Sequence, residues 1–169
     1  MSISGTTTRA RAAGVAAAAA VLAAGAGAYV AEAGQETAPQ ATRAALAQVV
    51  NPAGARDRTL GLSRVTIPPH VSLALHRHAG NQIAYIEKGT LTYTVRTGSV
   101  PVYRGAADED PRLVRTIGAG STGRVRAGEW VVERPHVIHF GANTGDRPVR
   151  ILLATLFRNG SPPSIVVPD

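Results

Sequence analysis

Two histidines and a glutamine fall within seven residues of this 169-residue chain, in the stretch from Pro69 to Gly89, PHVSLALHRHAGNQIAYIEKG. His76 and His78 are one residue apart, and side chains on a strand alternate faces, so both imidazoles point the same way and can share one metal ion. Gln82 follows after Ala79-Gly80-Asn81, a turn-forming segment, and Ile83-Ala84-Tyr85-Ile86 reads as a return strand. On this reading the stretch is a β-hairpin with Gln82 at its mouth, beside the histidine pair. Histidine is the commonest metal ligand. A histidine in a strand is also readable as a hydrogen-bonded core or surface residue, and the pair alone leaves both readings open.

The elements that must hold these residues begin well after the N-terminus. Arg9 and Arg11 form a positive region, residues 12–31 are apolar and alanine-rich, and Ala31-Glu32-Ala33 has the small-x-small form of a cleavage site. Residues 1–33 are therefore expected to be a secretory signal peptide cleaved after Ala33, which makes the protein secreted or extracytoplasmic. The alternative is an uncleaved membrane anchor. Alanine and glycine dominate the run and give little transfer free energy, so no stable membrane insertion is expected once the signal is removed. A twin-arginine signal is disfavoured because Ala10 splits the two arginines.

Removing 33 of 169 residues leaves 136, enough for one domain with a real core and too few for two ordinary ones. The chain has no cysteine, which excludes disulfides, thiolate ligands and cysteine nucleophiles. Of 18 Lys+Arg and 11 Asp+Glu, the signal takes Arg9, Arg11 and Glu32, so 16 and 10 remain and the net charge is about +6. Those cations are scattered singly, with no basic helix or aromatic-interleaved motif beside them. Nucleic acid is not an expected partner; a preference for anionic small molecules or surfaces is.

Residues 34–58 are rich in Ala, Gln, Pro and charge and read as a flexible tether, within which Ala41 to Val50 has the makings of a short helix ended by Asn51-Pro52. From residue 59 to 169 the texture is that of a single β-domain. Strands are expected over Leu62–Ile67, Val71–His78, Gln82–Glu87, Thr90–Thr97, Leu113–Ile117, Thr122–Arg126, Trp130–Glu133, Val137–Phe140 and Val149–Phe157, with turn signals at several glycines and at Asn143-Thr144-Gly145-Asp146. These runs, with no convincing helix between them, argue an all-β sandwich or barrel. Leu91, Tyr93 and Val95 alternate with threonines, giving one dry and one wet face. The nearly continuous apolar run Val149 to Phe157 suits a strand in the middle of a sheet, covered on both sides. Gly105 to Pro111 reads as a solvated charged loop.

A second histidine-bearing segment lies near the C-terminus, Gly128-Glu-Trp-Val-Val-Glu-Arg-Pro-His-Val-Ile-His139-Phe-Gly-Ala-Asn143. Together with the first, it resembles the two motifs of the cupin superfamily. His76-x-His78, three residues, Gln82, six residues and Gly89 fit the spacing of the first motif. Gly128, His139 and Asn143 fall where the second needs them. The departures are His70 in place of the opening Gly, Gln82 in place of the usual Glu, and Arg134-Pro135-His136 in place of P-x-G.

The resemblance, covering about residues 60–157, implies a jelly-roll (double-stranded β-helix) barrel of the small single-domain cupin type. It carries His76, His78, Gln82 and His139 over as ligands of a divalent transition metal: iron, manganese, nickel, copper or zinc. It also makes a homodimer a reasonable expectation. Three neutral imidazoles and a neutral amide would leave the full +2 charge on the ion and favour anionic oxygen ligands. Two function classes follow. One is a metal-dependent oxygenase, lyase or isomerase acting on a small polar or carboxylated molecule. The other is a non-catalytic metal- or ligand-binding module. For the enzyme, Tyr93 and then His136 beside the mouth are the candidate acid/base residues, with Tyr85 and Glu133 behind them.

Overall fold

The computed structural model describes residues 38–168. The segment 1–33 expected to be a signal peptide, and the first residues of the tether, lie outside the described residues. Among those described, all regular structure is extended: β1 (Thr42–Val50), β2 (Arg58–Ile67), β3 (His76–Arg77), β4 (Gly80–Lys88), β5 (Thr90–Thr97), β6 (Ser99–Arg104), β7 (Arg112–Gly118), β8 (Ser121–Arg126), β9 (Glu129–Glu133), β10 (Ile138–Ala142), β11 (Val149–Arg158) and β12 (Ile165–Val166). Among them no helix is long and apolar enough to cross a membrane.

Two antiparallel sheets form, one of seven strands in the order β1-β2-β11-β4-β9-β6-β7 and one of five in the order β12-β3-β10-β5-β8. Their inner faces meet in one core. Ile67, Ile86, Val102 and Val131 from the larger sheet pack with Leu91, Val95 and Val125 from the smaller, all essentially closed to solvent. The period-2 patterns account for this: β4 and β5 bury alternate residues along most of their length. The β4–β5 turn uses Gly89 at φ 84°, and a Cβ there would come within 3.2 Å of the Pro148 carbonyl.

Several expectations are corrected. The segment Ala41 to Val50 is not a helix within a tether. Residues Thr42–Val50 form a strand paired with β2 over its whole length, from Thr42 opposite Thr66 to Val50 opposite Thr59. All nine residues are exposed, so no apolar stripe announced the strand; the waiting edge of β2 decides it. The expected strand from Val71 to His78 shrinks to His76–Arg77, preceded by a single bridge between Ser72 and Ala142. The expected hairpin is absent as well, because β3 and β4 belong to different sheets and the chain crosses between them at His78-Ala79. Neither β6 nor β12 was expected. In β6, Pro101 sits opposite Thr116 of β7, while the ladder to β9 begins only at Val102, so the missing amide breaks no bond on that side.

Strand β11 does lie between β2 and β4. It is closed on one side only: Val149, Ile151, Leu153, Thr155 and Phe157 are buried, while Leu152, Ala154 and Leu156 are partly open on the outer face. The loop from Gly105 to Pro111 is an exposed excursion between β6 and β7, as its charge suggested.

Candidate metal centre

Two cross-strand pairs build the site. In the smaller sheet His139 of β10 lies opposite His76 of β3, and in the larger sheet Gln82 of β4 lies opposite Glu133 of β9. Both pairs point into the space between the sheets, where His76, His78, Gln82, Glu133 and His139 are all buried. His78 enters from the crossover that follows β3. Its ring stacks on Phe157 of β11 at 5.6 Å between centroids.

Each histidine turns Nδ1 toward a backbone carbonyl: Ala74 at 2.8 Å for His76, Pro163 at 3.0 Å for His78 and Val137 at 3.4 Å for His139. A carbonyl only accepts, so each Nδ1 carries the proton and donates, which leaves the Nε2 lone pairs free and aimed inward. One ligand atom from each of the three lies within 4.8 Å of the others. The group of His76, His78 and His139 can therefore hold a metal ion.

The carboxylate of Glu133 closes the cluster. Its Oε2 is 3.2 Å from His78 Nε2 and its Oε1 is 3.4 Å from His139 Nε2. It accepts a 2.8 Å hydrogen bond from the Tyr93 hydroxyl and one of 2.5 Å from Gln82 Nε2, which also lies 3.2 Å from His78 Nε2. Burial pushes the His76 imidazole down to about 4 and, more than any other cause, lowers that of His139. For Glu133, burial works toward a raised pKa. The neighbouring His139 and His78 and the Tyr93 hydroxyl outweigh it and hold the carboxyl below the ordinary carboxylate range. The site thus gathers one carboxylate and three imidazoles, a donor set suited to a divalent cation. The expectation of a wholly neutral set did not count Glu133, which the sequence offered only as a lesser acid/base candidate and which lies at the centre of the cluster.

Tyr93 is buried beneath the cluster, its ring stacked on His139 at 5.1 Å. Burial raises its pKa well above the ordinary phenol value, and Glu133 adds to the shift, so its proton stays in place and is donated to the carboxylate. His136 is not brought to the site. It is exposed on the turn closed by the Val137 amide and the Arg134 carbonyl, and it takes no part in lining the cavity. Tyr85 faces outward at 41% exposure. Asn143 works structurally: Nδ2 donates to the carbonyls of Ile67 and Arg147, and Oδ1 accepts from the Gly145 amide, which fixes the turn into β11. His70 takes a left-handed backbone, φ 59°, the conformation a glycine adopts at least cost.

Above the donors lies a cavity of about 250 Å³ with apolar walls that include Leu73, Leu91, Ile151, Leu153 and Val166. Arg43, from the unexpected strand β1, also borders it. Among the described residues, no carboxylate lies within ion-pair distance of Arg43. Sequence reasoning missed both Arg43 and the central place of Glu133. For the second no local signal was available, since Trp130 and Val132 make the opposite face of β9 the more apolar one.

Solved structures similar to this chain include a cupin superfamily protein from Desulfitobacterium hafniense, at 18% identity, covering 70% of this chain and 78% of the other with a TM-score of 0.47. A cupin 2 domain-containing protein from Halorhodospira halophila matches at 16% identity, 80% and 76% coverage and a TM-score of 0.48. A cupin-like protein from Thermotoga maritima matches at 16%, 75% and 75%, also with a TM-score of 0.48. No curated protein matches the chain. The sequence profile of the cupin family matches residues 28–165, most of the length, and with that match and its double-sheet all-β architecture the chain belongs to the cupin family.

Proposed function

We propose that the protein binds one divalent first-row transition metal through His76, His78 and His139, and that it is a metal-dependent enzyme acting on a small, largely apolar molecule with one anionic oxygen group. The observation that carries this reading is the set of three buried imidazoles, each with Nδ1 committed to a backbone carbonyl and Nε2 turned inward. An ion bound there supplies Lewis acidity and open coordination positions for a substrate oxygen. Affinity order favours copper or zinc where supply does not decide.

The chain's own residues have separable tasks. Arg43 borders the cavity, has no carboxylate within ion-pair distance among the described residues, and offers a guanidinium to bind a carboxylate or enolate. Leu73, Leu91, Ile151, Leu153 and Val166 enclose the apolar part and keep water out. This narrows the substrate from the small polar or carboxylated molecule expected from sequence to a mainly apolar acid. Tyr93 keeps its proton on the bond to Glu133 and holds that carboxylate in place. Oxygenase, lyase and isomerase chemistry all fit such a site.

The test is metal analysis of the purified protein beside His76→Ala. The reading expects close to one metal ion per chain in the wild type and a loss of at least tenfold in the variant, with the fold intact by circular dichroism. Wild-type protein that takes up no metal from a full set of divalent ions would sink it. Metal uptake without turnover of any apolar acid or enediol in a panel would leave a binding module in place of an enzyme.

A further inference from the structure

We propose that Glu133 is the anionic ligand of this metal centre and that Gln82, expected to be a ligand itself, is the residue that positions it. The proposal rests on the metal reading above and adds to it the fourth ligand. The carboxylate that the first cupin motif places at position 82 has moved to the neighbouring strand.

The register makes the exchange possible. Gln82 and Glu133 are direct partners on β4 and β9, both inward and both buried. The Cβ atoms of such a pair are about 5 Å apart, so side chains of this length reach the same point from either strand. The distances agree with coordination. Donors about 2.1 Å from one ion stand about 3.4 Å apart in a tetrahedral arrangement. Glu133 Oε2 and Oε1 lie 3.2 Å and 3.4 Å from His78 Nε2 and His139 Nε2.

Hydrogen bonding explains the contact at His78, where the Gln82 amide donates to both Nε2 and Oε2, but not the contact at His139. His139 turns Nδ1 to the Val137 carbonyl, so its contact with Glu133 sets the Nε2 lone pair against a carboxylate oxygen. Two acceptors this close, in a space closed to water, repel each other unless a cation lies between them.

Gln82 has the geometry of a support. A glutamine coordinates through Oε1, yet here Nε2 faces the cluster and donates to Glu133 at 2.5 Å, while Oε1 is buried with no partner. Turning the amide over would place Oε1 at 2.5 Å from a carboxylate oxygen, acceptor against acceptor. The bond from Nε2 to Glu133 Oε2 therefore fixes the amide with its nitrogen toward the site. Gln82 and Tyr93 together occupy one lone pair on each carboxylate oxygen and leave the others directed at the imidazoles.

The experiment is titration of the full chain with cobalt(II), followed by its visible absorption, for wild type, Glu133→Gln, Gln82→Ala and His76→Ala. Glu133→Gln is expected to bind cobalt at least 100-fold more weakly with a shifted band, and Gln82→Ala about tenfold more weakly. Melting of the metal-free Glu133→Gln protein checks that it folds. The swap Gln82→Glu with Glu133→Gln returns the carboxylate to the same point from the other strand and should recover most of the lost affinity. If Glu133→Gln does not fold, the swap variant alone decides: cobalt affinity within tenfold of wild type supports the proposal, and loss of binding by a folded swap protein overturns it. Wild-type affinity and spectrum in Glu133→Gln, with binding abolished in His76→Ala, overturns the role of Glu133 and leaves the metal reading standing. Absence of cobalt binding by the wild type removes both.

Discussion

Glu129 opens the strand that carries Glu133, and its removal should cost stability in a way that depends on pH. The side chain is only 2% exposed. It accepts from Arg115 at 2.6 Å, from Arg104 at 3.1 Å and from the Arg126 amide at 2.8 Å, so it ties β9 to β6, β7 and β8. Burial works to raise its pKa; Arg115, the Arg126 amide and Arg104 outweigh that and hold it at about 2, against an ordinary 4.5. At about 1.4 kcal/mol per pH unit the gap is worth about 3 kcal/mol. Arg104 is 46% exposed and its share is screened, which brings the figure to about 2–3 kcal/mol. That is a large part of a typical domain's stability, about 5–15 kcal/mol. Because the folded-state pKa is depressed, this stability is fully present above pH 4.5, falls as the pH drops and is gone near pH 2.

Urea unfolding of the metal-free protein, wild type against Glu129→Gln, at pH 7, 4.5, 3 and 2 measures the effect. The variant should be about 2–3 kcal/mol less stable at pH 7, and the gap should narrow as the pH falls through the lower points. Taking the difference between the two proteins cancels the other carboxylates that titrate in the same range. A gap that stays constant from pH 7 to pH 2, or is absent at pH 7, would refute the linkage argument.

Arg43→Ala should weaken binding of a small aromatic carboxylate such as benzoate about tenfold by isothermal titration, with metal content unchanged and a neutral amide analogue unaffected; equal loss for acid and amide would point to a packing defect. Gly80→Ala should cost at least about 3 kcal/mol in urea, because the new Cβ would fall 2.1 Å from the Leu156 carbonyl oxygen and 3.0 Å from Phe157 Cα, both backbone that cannot swing aside. A midpoint within error of wild type would show that β4 and β11 can part there without loss.

The spacing of His76 to His78, and of Gly128 to His139 and Asn143, was enough to place three imidazoles in one site, because strand alternation is local and the two segments fit a known pair of motifs. The same local rule fixed the dry face of β5 with Leu91, Tyr93 and Val95 inside. It could not settle β9. There Trp130 and Val132 share one face and Glu129, Val131 and Glu133 the other, and simple hydrophobic patterning would turn the glutamates outward. The structure turns them inward, because each meets partners distant in sequence: Arg104 and Arg115 for Glu129, Tyr93 and the histidines for Glu133. Whether a charge can be buried depends on what waits for it inside, and no window of sequence contains that information. Strand β1 teaches the same point for the backbone. Its nine residues are all exposed and carry no strand signal, yet the open edge of β2 orders them and brings Arg43 to the cavity. The sequence by itself determined which three imidazoles could bind a metal. The tertiary structure decided the charge beside them and what borders the cavity above, since both come from strands that meet only after the two sheets close.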